Sequence, residues 1–272
     1  MGQQLLYFRK RELILEEDIR RFNIKHLLVI ILVLVIALAV VISIRGFSFQ
    51  DEYEPGPGLA GSLPRFRLID MDSLGIKTDE DNDGINDQED ILMGAKKQLV
   101  SPAVNIFTLG GGEPNYYAGG DPPADMAIST DIIARAFLEA GFILKELVDE
   151  DIAGNFDKYP LRKNWGQTAS DPNIDYRRIQ NLEIFFSRNA LFLGIIFNRS
   201  GGSGLGSWYP GDILFLDMDD DGFTDCAAII SDTTTREGIP KVIYNYIEPG
   251  YTVEEDILGI KTITGHYRYP SP

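Results

Sequence analysis

The chain has 272 residues, 44% of them apolar and 11% aromatic, which suits a folded protein and excludes a disordered one. Its formal charge of −16 argues against nucleic-acid binding and in favour of cations or basic partners. Cys226 is the single cysteine, so no internal disulfide can form.

Residues 1–26 mix charge with Leu5, Leu6, Phe8, Leu13, Ile14, Leu15 and Ile19 and are expected as a cytoplasmic segment. From Leu27 to Ile44 the chain is almost purely apolar, broken only by Ser43. As a helix this stretch would span roughly 27 Å at about 1.5 Å per residue, close to the hydrocarbon thickness of a bilayer. Arg9, Lys10, Arg11, Arg20, Arg21 and Lys25 precede it, and Asp51, Glu52 and Glu54 follow Arg45. The positive-inside bias therefore predicts a single anchor over 27–45 in the plasma membrane, with the N-terminus cytoplasmic and the C-terminal domain extracytoplasmic. A cleaved signal peptide is the rival, but no small-x-small site follows the apolar run. Residues 46–66, with Glu54-Pro55-Gly56-Pro57-Gly58, read as a linker.

The segment 67–92 holds Asp79-Glu80-Asp81-Asn82-Asp83-Gly84-Ile85-Asn86-Asp87-Gln88-Glu89-Asp90. Counting from Asp79, acids stand at positions 1, 3, 5, 9 and 12, glycine at 6, and the Ile85 carbonyl at 7. Alternating carboxylates that turn inward around a glycine make the ligand rhythm of a calcium loop. The final Asp departs from the EF-hand pattern, and the loop looks more like those of thrombospondin type 3 and dockerin-like repeats. A solvated acidic turn is the alternative. The predicted ligands are Asp79, Asp81, Asp83, Ile85, Asp87 and Asp90.

Ile91 to Val100 reads as a helix, and Ser101 to Gly120 as a Gly- and aromatic-rich approach. Pro122 and Pro123 keep a helix from starting early. Asp125 or Ser129 can then cap one, with Asp131 in its first turn, where the helix dipole favours a carboxylate. Ile132, Ile133, Ala136, Phe137 and Ala140 follow at helical spacing, and Gly141 ends the run. Ser129 thus sits at the mouth of a buried helix. Leu144, Leu147 and Val148 precede an irregular connection, and a helix carries Leu182, Phe185 and Phe186. Leu191 to Phe197 reads as a buried strand, and Gly201-Gly202-Ser203-Gly204 as a flexible turn.

From Tyr209 the texture is β, with strands expected at Ile213–Leu216, Cys226–Ile230, Val242–Tyr246 and Ile260–Thr264. The first two flank Asp217-Met218-Asp219-Asp220-Asp221-Gly222-Phe223-Thr224-Asp225, which repeats the acidic rhythm without an acid at position 12. Asp217, Asp219, Asp221, Phe223 and Asp225 are expected to hold a second calcium ion, against an acidic β-turn as the alternative.

Several motifs stand in a recognisable order: Gly120-Asp121-Pro122-Pro123-Ala124-Asp125, Ser129-Thr130-Asp131, Trp165-Gly166 and Asp171-Pro172-Asn173-Ile174-Asp175-Tyr176-Arg177-Arg178. Asn181-Leu182, Pro210-Gly211-Asp212-Ile213, Ile229-Ile230-Ser231-Asp232, Val242-Ile243-Tyr244-Asn245 and Ile263-Thr264-Gly265-His266-Tyr267-Arg268 follow. On these motifs the chain resembles domain of unknown function family 1287, a branch of the NlpC-like, papain-fold hydrolases. The resemblance implies an α+β domain over 93–272, with a nucleophile-bearing helix packed on an antiparallel sheet.

It further implies a cysteine at the helix mouth, a histidine on a strand and a polar third residue on the next strand. This chain has Ser129 at the cysteine position, Cys226 at the histidine position and Tyr244-Asn245 at the third. Tyr176 stands where a further histidine is expected. A serine needs a base to take its proton, and no imidazole is evident for Ser129. The expected function is therefore an anchored, calcium-binding relative of these hydrolases that binds peptide or cell-wall glycopeptide without cutting it. Asp131, Trp165, Asp175, Arg177 and Arg178 are expected to line or brace the cleft. The rivals are an active amidase or peptidase using Ser129 or Cys226, and a purely structural surface module.

Overall fold

The computed structural model describes residues 65–71, 75–110, 116–199 and 207–271. Residues 64–272 form one compact unit. It is a mixed α/β body with an antiparallel sheet and few helices.

Strand β1 (Arg65–Phe66) precedes the first acidic loop, which runs into helix α1 (Asp87–Lys97). The helix begins four residues earlier than the apolar spacing indicates. The Asn86 side chain caps it by accepting from the Glu89 amide, so the end of the acidic loop is also the first turn. A short parallel pair follows, β2 (Val104–Asn105) with β3 (Met126–Ala127). Helix α2 (Ser129–Glu139) is the buried helix expected from the sequence. Helices α3 (Leu144–Asn155), α4 (Leu161–Trp165) and α5 (Ile179–Asn189) come next.

The main sheet is built from β4 (Leu191–Phe192), β5 (Ile213–Asp217), β6 (Cys226–Thr234), β7 (Pro240–Asn245), β8 (Thr252–Glu255) and β9 (Thr262–Arg268). Its order is β4-β9-β5-β6-β7-β8, with β1 also paired to β6. Ile213, Phe215, Ala227, Ile229, Ile243 and Tyr267 face Ile132, Ile133, Phe137, Leu182 and Phe186 of the helices. The alternate residues Leu214, Leu216, Cys226, Ala228, Ile230, Val242 and Tyr244 build a second core with Trp208, Met218 and Leu258. Cover on both faces explains why these strands read as continuous apolar runs.

The run Leu191 to Phe197 becomes only a two-residue strand. Gly194 turns the backbone into the left-handed region at φ +86, and Ile196 is 91% exposed. Strand β8 has no counterpart among the expected strands, being short and largely polar.

The expected localisation is corrected. Among the described residues no helix is long and apolar enough to cross a membrane. The longest, α3, has 12 residues, or about 18 Å at about 1.5 Å per residue against a hydrocarbon core of about 30 Å. The plasma-membrane placement and the sidedness drawn from it are therefore withdrawn. The cytoplasmic segment 1–26, the anchor 27–45, nearly all of the linker 46–66 and Gly201 to Gly204 lie outside the described residues.

Helices α1 and α2 touch through their backbones at Gly94, where an added Cβ would lie 2.7 Å from the Ala136 carbonyl oxygen and 2.8 Å from its Cα. Helix propensity alone favours alanine there by about 1 kcal/mol. Overpacking instead predicts that Gly94→Ala destabilises the domain by about 1–3 kcal/mol. The sign of the shift in a urea unfolding curve decides which effect wins, and a gain in stability would show that the helices are not in backbone contact.

Candidate functional site

The mouth of α2 is held by its own third residue. Asp131 Oδ2 accepts the Ile128 amide at 2.8 Å, so Asp131, rather than the Asp125 or Ser129 side chain, closes the helix start. The same carboxylate takes Arg177 Nε at 2.6 Å and Nη2 at 2.8 Å, with both side chains buried. Thr130 Oγ1 donates to the Arg177 carbonyl at 3.0 Å. Asp131 and Arg177 thereby fix the angle at which Ser129 is presented.

A cavity of about 330 Å³ opens at this mouth. Ser129, Asn105, Arg177, Arg178, Asp225, Asn245 and Tyr246 line its polar side, and Phe107, Ile128, Ile179 and Ile247 its apolar side. Trp165 and Asp175 are not in its wall; they hold Arg178. The Arg178 guanidinium lies 4.0 Å above the Trp165 ring, donates to Asp175 Oδ1 at 2.8 Å and also bonds Gln167 Oε1. Burial pushes the Asp175 carboxyl up and the Arg178 guanidinium down, in opposition to their pairing. Tyr176 faces elsewhere, donating to Asp121 Oδ1 at 2.7 Å on the wall of a separate cavity of about 250 Å³.

Ser129, Cys226, Tyr244 and Asn245, the residues expected at catalytic positions, do not make a proton relay. Ser129 is 6% exposed at the mouth of α2, and the Cys226 thiol approaches the Ala227 carbonyl at 3.5 Å. Cys226 is fully buried, and burial with the nearby Asp225 charge pushes its thiol well above the usual range. Tyr244 donates its hydroxyl to Glu255 Oε2 at 2.6 Å. Asn245 donates to the Ala103 carbonyl at 2.9 Å and to Thr252 Oγ1 at 3.0 Å, and accepts from Asn105 Nδ2 at 2.8 Å.

His266 is the one histidine among the described residues, and its ring is committed elsewhere. Nε2 meets Asp212 Oδ2 at 3.1 Å, Nδ1 meets the Gly194 carbonyl at 3.0 Å, and the ring stacks on Trp208 at 4.0 Å. Among the described residues Ser129 Oγ has no imidazole, carboxylate or amine in hydrogen-bonding reach. The cavity can hold a polar ligand with an apolar portion, but it lacks a base for the serine.

The reading of the sequence placed Asp225 only among metal ligands and missed Tyr246 and Asn105. The period-2 spacing of Tyr244 and Tyr246 was a usable signal for the second tyrosine. Nothing local marks Asn105, whose partner Asn245 is 140 residues away.

The two acidic loops adopt one backbone geometry. Asp79 Oδ1 accepts the Asp83 amide at 3.1 Å, and Asp217 Oδ1 accepts that of Asp221 at 3.2 Å. Asp79 Oδ2 and Asp217 Oδ2 take the glycine amides of Gly84 and Gly222 at 3.0 and 2.8 Å. Asn82 and Asp220, at position 4, have φ of +61 and +62. Carboxylate oxygens of Asp79, Asp81 and Asp83, and of Asp217, Asp219 and Asp225, lie within 4.8 Å of one another.

The first loop adds something the second lacks. Asp87 and Asp90 are each 1% exposed, and Oδ2 of each is buried without a hydrogen-bond partner. Burial, then the charges of Asp83, Asp81 and Asp87, push the Asp90 carboxyl up to about 6. A hard, oxygen-seeking cation fits this donor set.

Taken together, these features define a mixed α/β domain with a helix-mouth serine opening into a polar cavity. The chain belongs to the family described as "Domain of unknown function (DUF1287)", whose model matches residues 113–269. It is 37% identical over 183 residues to "Uncharacterized protein YijF" of Escherichia coli (strain K12), covering 66% of this chain and 80% of that protein. No solved structure matches.

Proposed function

We propose that this domain is a relative of papain-like hydrolases that retains the cleft and has lost the means of cutting. On this reading the cavity beside Ser129 binds a peptide or cell-wall glycopeptide, and the acidic loop from Asp79 to Asp90 binds calcium. The observation that supports it most directly is the absence of an imidazole for Ser129 among the described residues: Cys226, at the position of the expected base, is a fully buried thiol, and His266 is bonded to Asp212 and Gly194. Arg178, stacked and paired at the cavity edge, supplies an oriented donor for ligand carbonyls or carboxylates. Asn105 and Asn245 are saturated with internal bonds and serve to shape the wall.

The test is incubation of the protein with defined peptidoglycan fragments, scored for both binding and product release. Binding without products is expected, and the Ser129→Cys, Cys226→His double variant is expected to gain cleavage. Products from the unaltered protein would overturn this reading. For calcium, melting is compared in millimolar calcium and in chelator. Ligand at a hundredfold excess over Kd stabilises by about 2.7 kcal/mol, so a rise of several degrees is expected. An unchanged melting temperature would remove calcium from the proposal.

A further inference from the structure

Helix α1 lies outside the residues matched by the family model, yet it is built into the body of the domain. Gly94 meets Ala136 of α2 backbone to backbone, and Gln98 Nε2 donates to the Ile132 carbonyl at 3.0 Å. At the other end Gln88 Nε2 donates to the Pro210 carbonyl at 2.9 Å and to Asp212 Oδ1 at 3.0 Å. The first acidic loop itself touches the end of α2, because a Cβ on Gly141 would stand 2.9 Å from Asp81 Cβ. Docking α1 therefore buries Asp87 and Asp90 at the end of the acidic loop, where Asp87 Oδ1 accepts the Glu80 amide at 2.9 Å. Two of their oxygens arrive there with no proton donor to meet them.

We infer that one calcium ion, seated in the first loop and not in the second, is the latch that holds α1 onto α2. The inference rests on the calcium reading above and adds what the ion does. The paired loops share their backbone turns, so turn geometry alone does not separate them. The separation comes from Asp87 Oδ2 and Asp90 Oδ2, whose burial is compensated only if a cation faces them. In the second loop Asp225 has both oxygens accepting the Met218 amide, and position 12 is Ala228, which offers no carboxylate. With the cation present, the buried oxygens are ligands. Without it, crowded like charges oppose the docking of the first turn of α1.

Hydrogen exchange on the full chain, read by mass spectrometry in calcium and in chelator beside a direct calcium titration, tests this. Amides of residues 91–97 are expected to exchange at least tenfold more slowly with calcium, and one ion should bind per chain. Asp90→Asn should abolish the response, and Asp219→Asn should keep it. Asp79→Asn, which alters a less buried carboxylate of the same loop, should repeat the loss without disturbing the interior. If calcium binds but residues 91–97 exchange equally fast in both conditions, the latch is wrong while calcium binding stands. Loss of the response in Asp219→Asn would place the ion in the other loop and overturn the inference. No binding at all would end both readings.

Discussion

Asp212→Ala is expected to lower stability by about 3–5 kcal/mol, the range for removing one partner of a buried ion pair. For a domain of this size that is a fall in melting temperature of about 6–20 °C. Asp212 is fully buried and accepts from Arg268 Nε at 2.7 Å, Arg268 Nη2 at 2.8 Å and the Tyr209 amide at 2.8 Å. It also meets His266 and Gln88. Deleting the carboxylate leaves a buried guanidinium, an imidazole and an amide without their acceptor at once, and solvent cannot enter to replace it. Asp212→Asn keeps the shape and loses the charge, so it should fall between the wild type and the alanine variant. A loss under about 1 kcal/mol for the alanine variant, seen in urea unfolding, would mean the cluster is wetter than its geometry indicates.

Asp131→Ala carries the second large effect, and it reaches the cavity as well as the fold. The residue both closes α2 and neutralises Arg177, and the two side chains are 2% and 0% exposed. Losing the carboxylate of a buried pair costs about 3–5 kcal/mol, and losing the helix-start bond adds about 1 kcal/mol. Arg177 and Ser129 would both shift, so, on the function proposed above, binding of peptidoglycan fragments should weaken even at temperatures where the variant stays folded. Arg177→Met removes the cation and leaves the Asp131 carboxylate its bond from the Ile128 amide, so it should cost less stability than Asp131→Ala. A variant that melts within 2 °C of the wild type would show that the pair does not brace the mouth.

The strands were legible because both faces of β5, β6 and β7 are covered, which writes burial into the sequence as unbroken apolar runs. The same texture misled at Leu191 to Phe197, where Gly194 diverts the chain and leaves Ile196 outside. The helix mouth could be read from Pro122-Pro123 and the apolar spacing of α2, but its cap could not. Asp131 reaches back from the third helical position and displaces the more obvious candidates. Residues of the Asp212, His266 and Arg268 cluster stood in recognised motifs, yet their meeting spans 54 and 56 residues and has no local signature. Both acidic loops were plain from spacing alone. What spacing could not show is that the ninth-position acid is buried in the first loop and only half-buried in the second.

A sheet covered on both sides acts as an internal wall, and that limits where this fold can change. Any replacement in the middle of β5 or β6 falls in one core or the other, because neither face of these strands meets solvent. Strand ends and the helix mouth are freer, and Ser129, Asp225 and Tyr246 all sit there. A lineage built on this wall is free to rewrite its chemistry at the rim while the masonry behind it stays the same, so divergence among relatives should concentrate in that ring of positions.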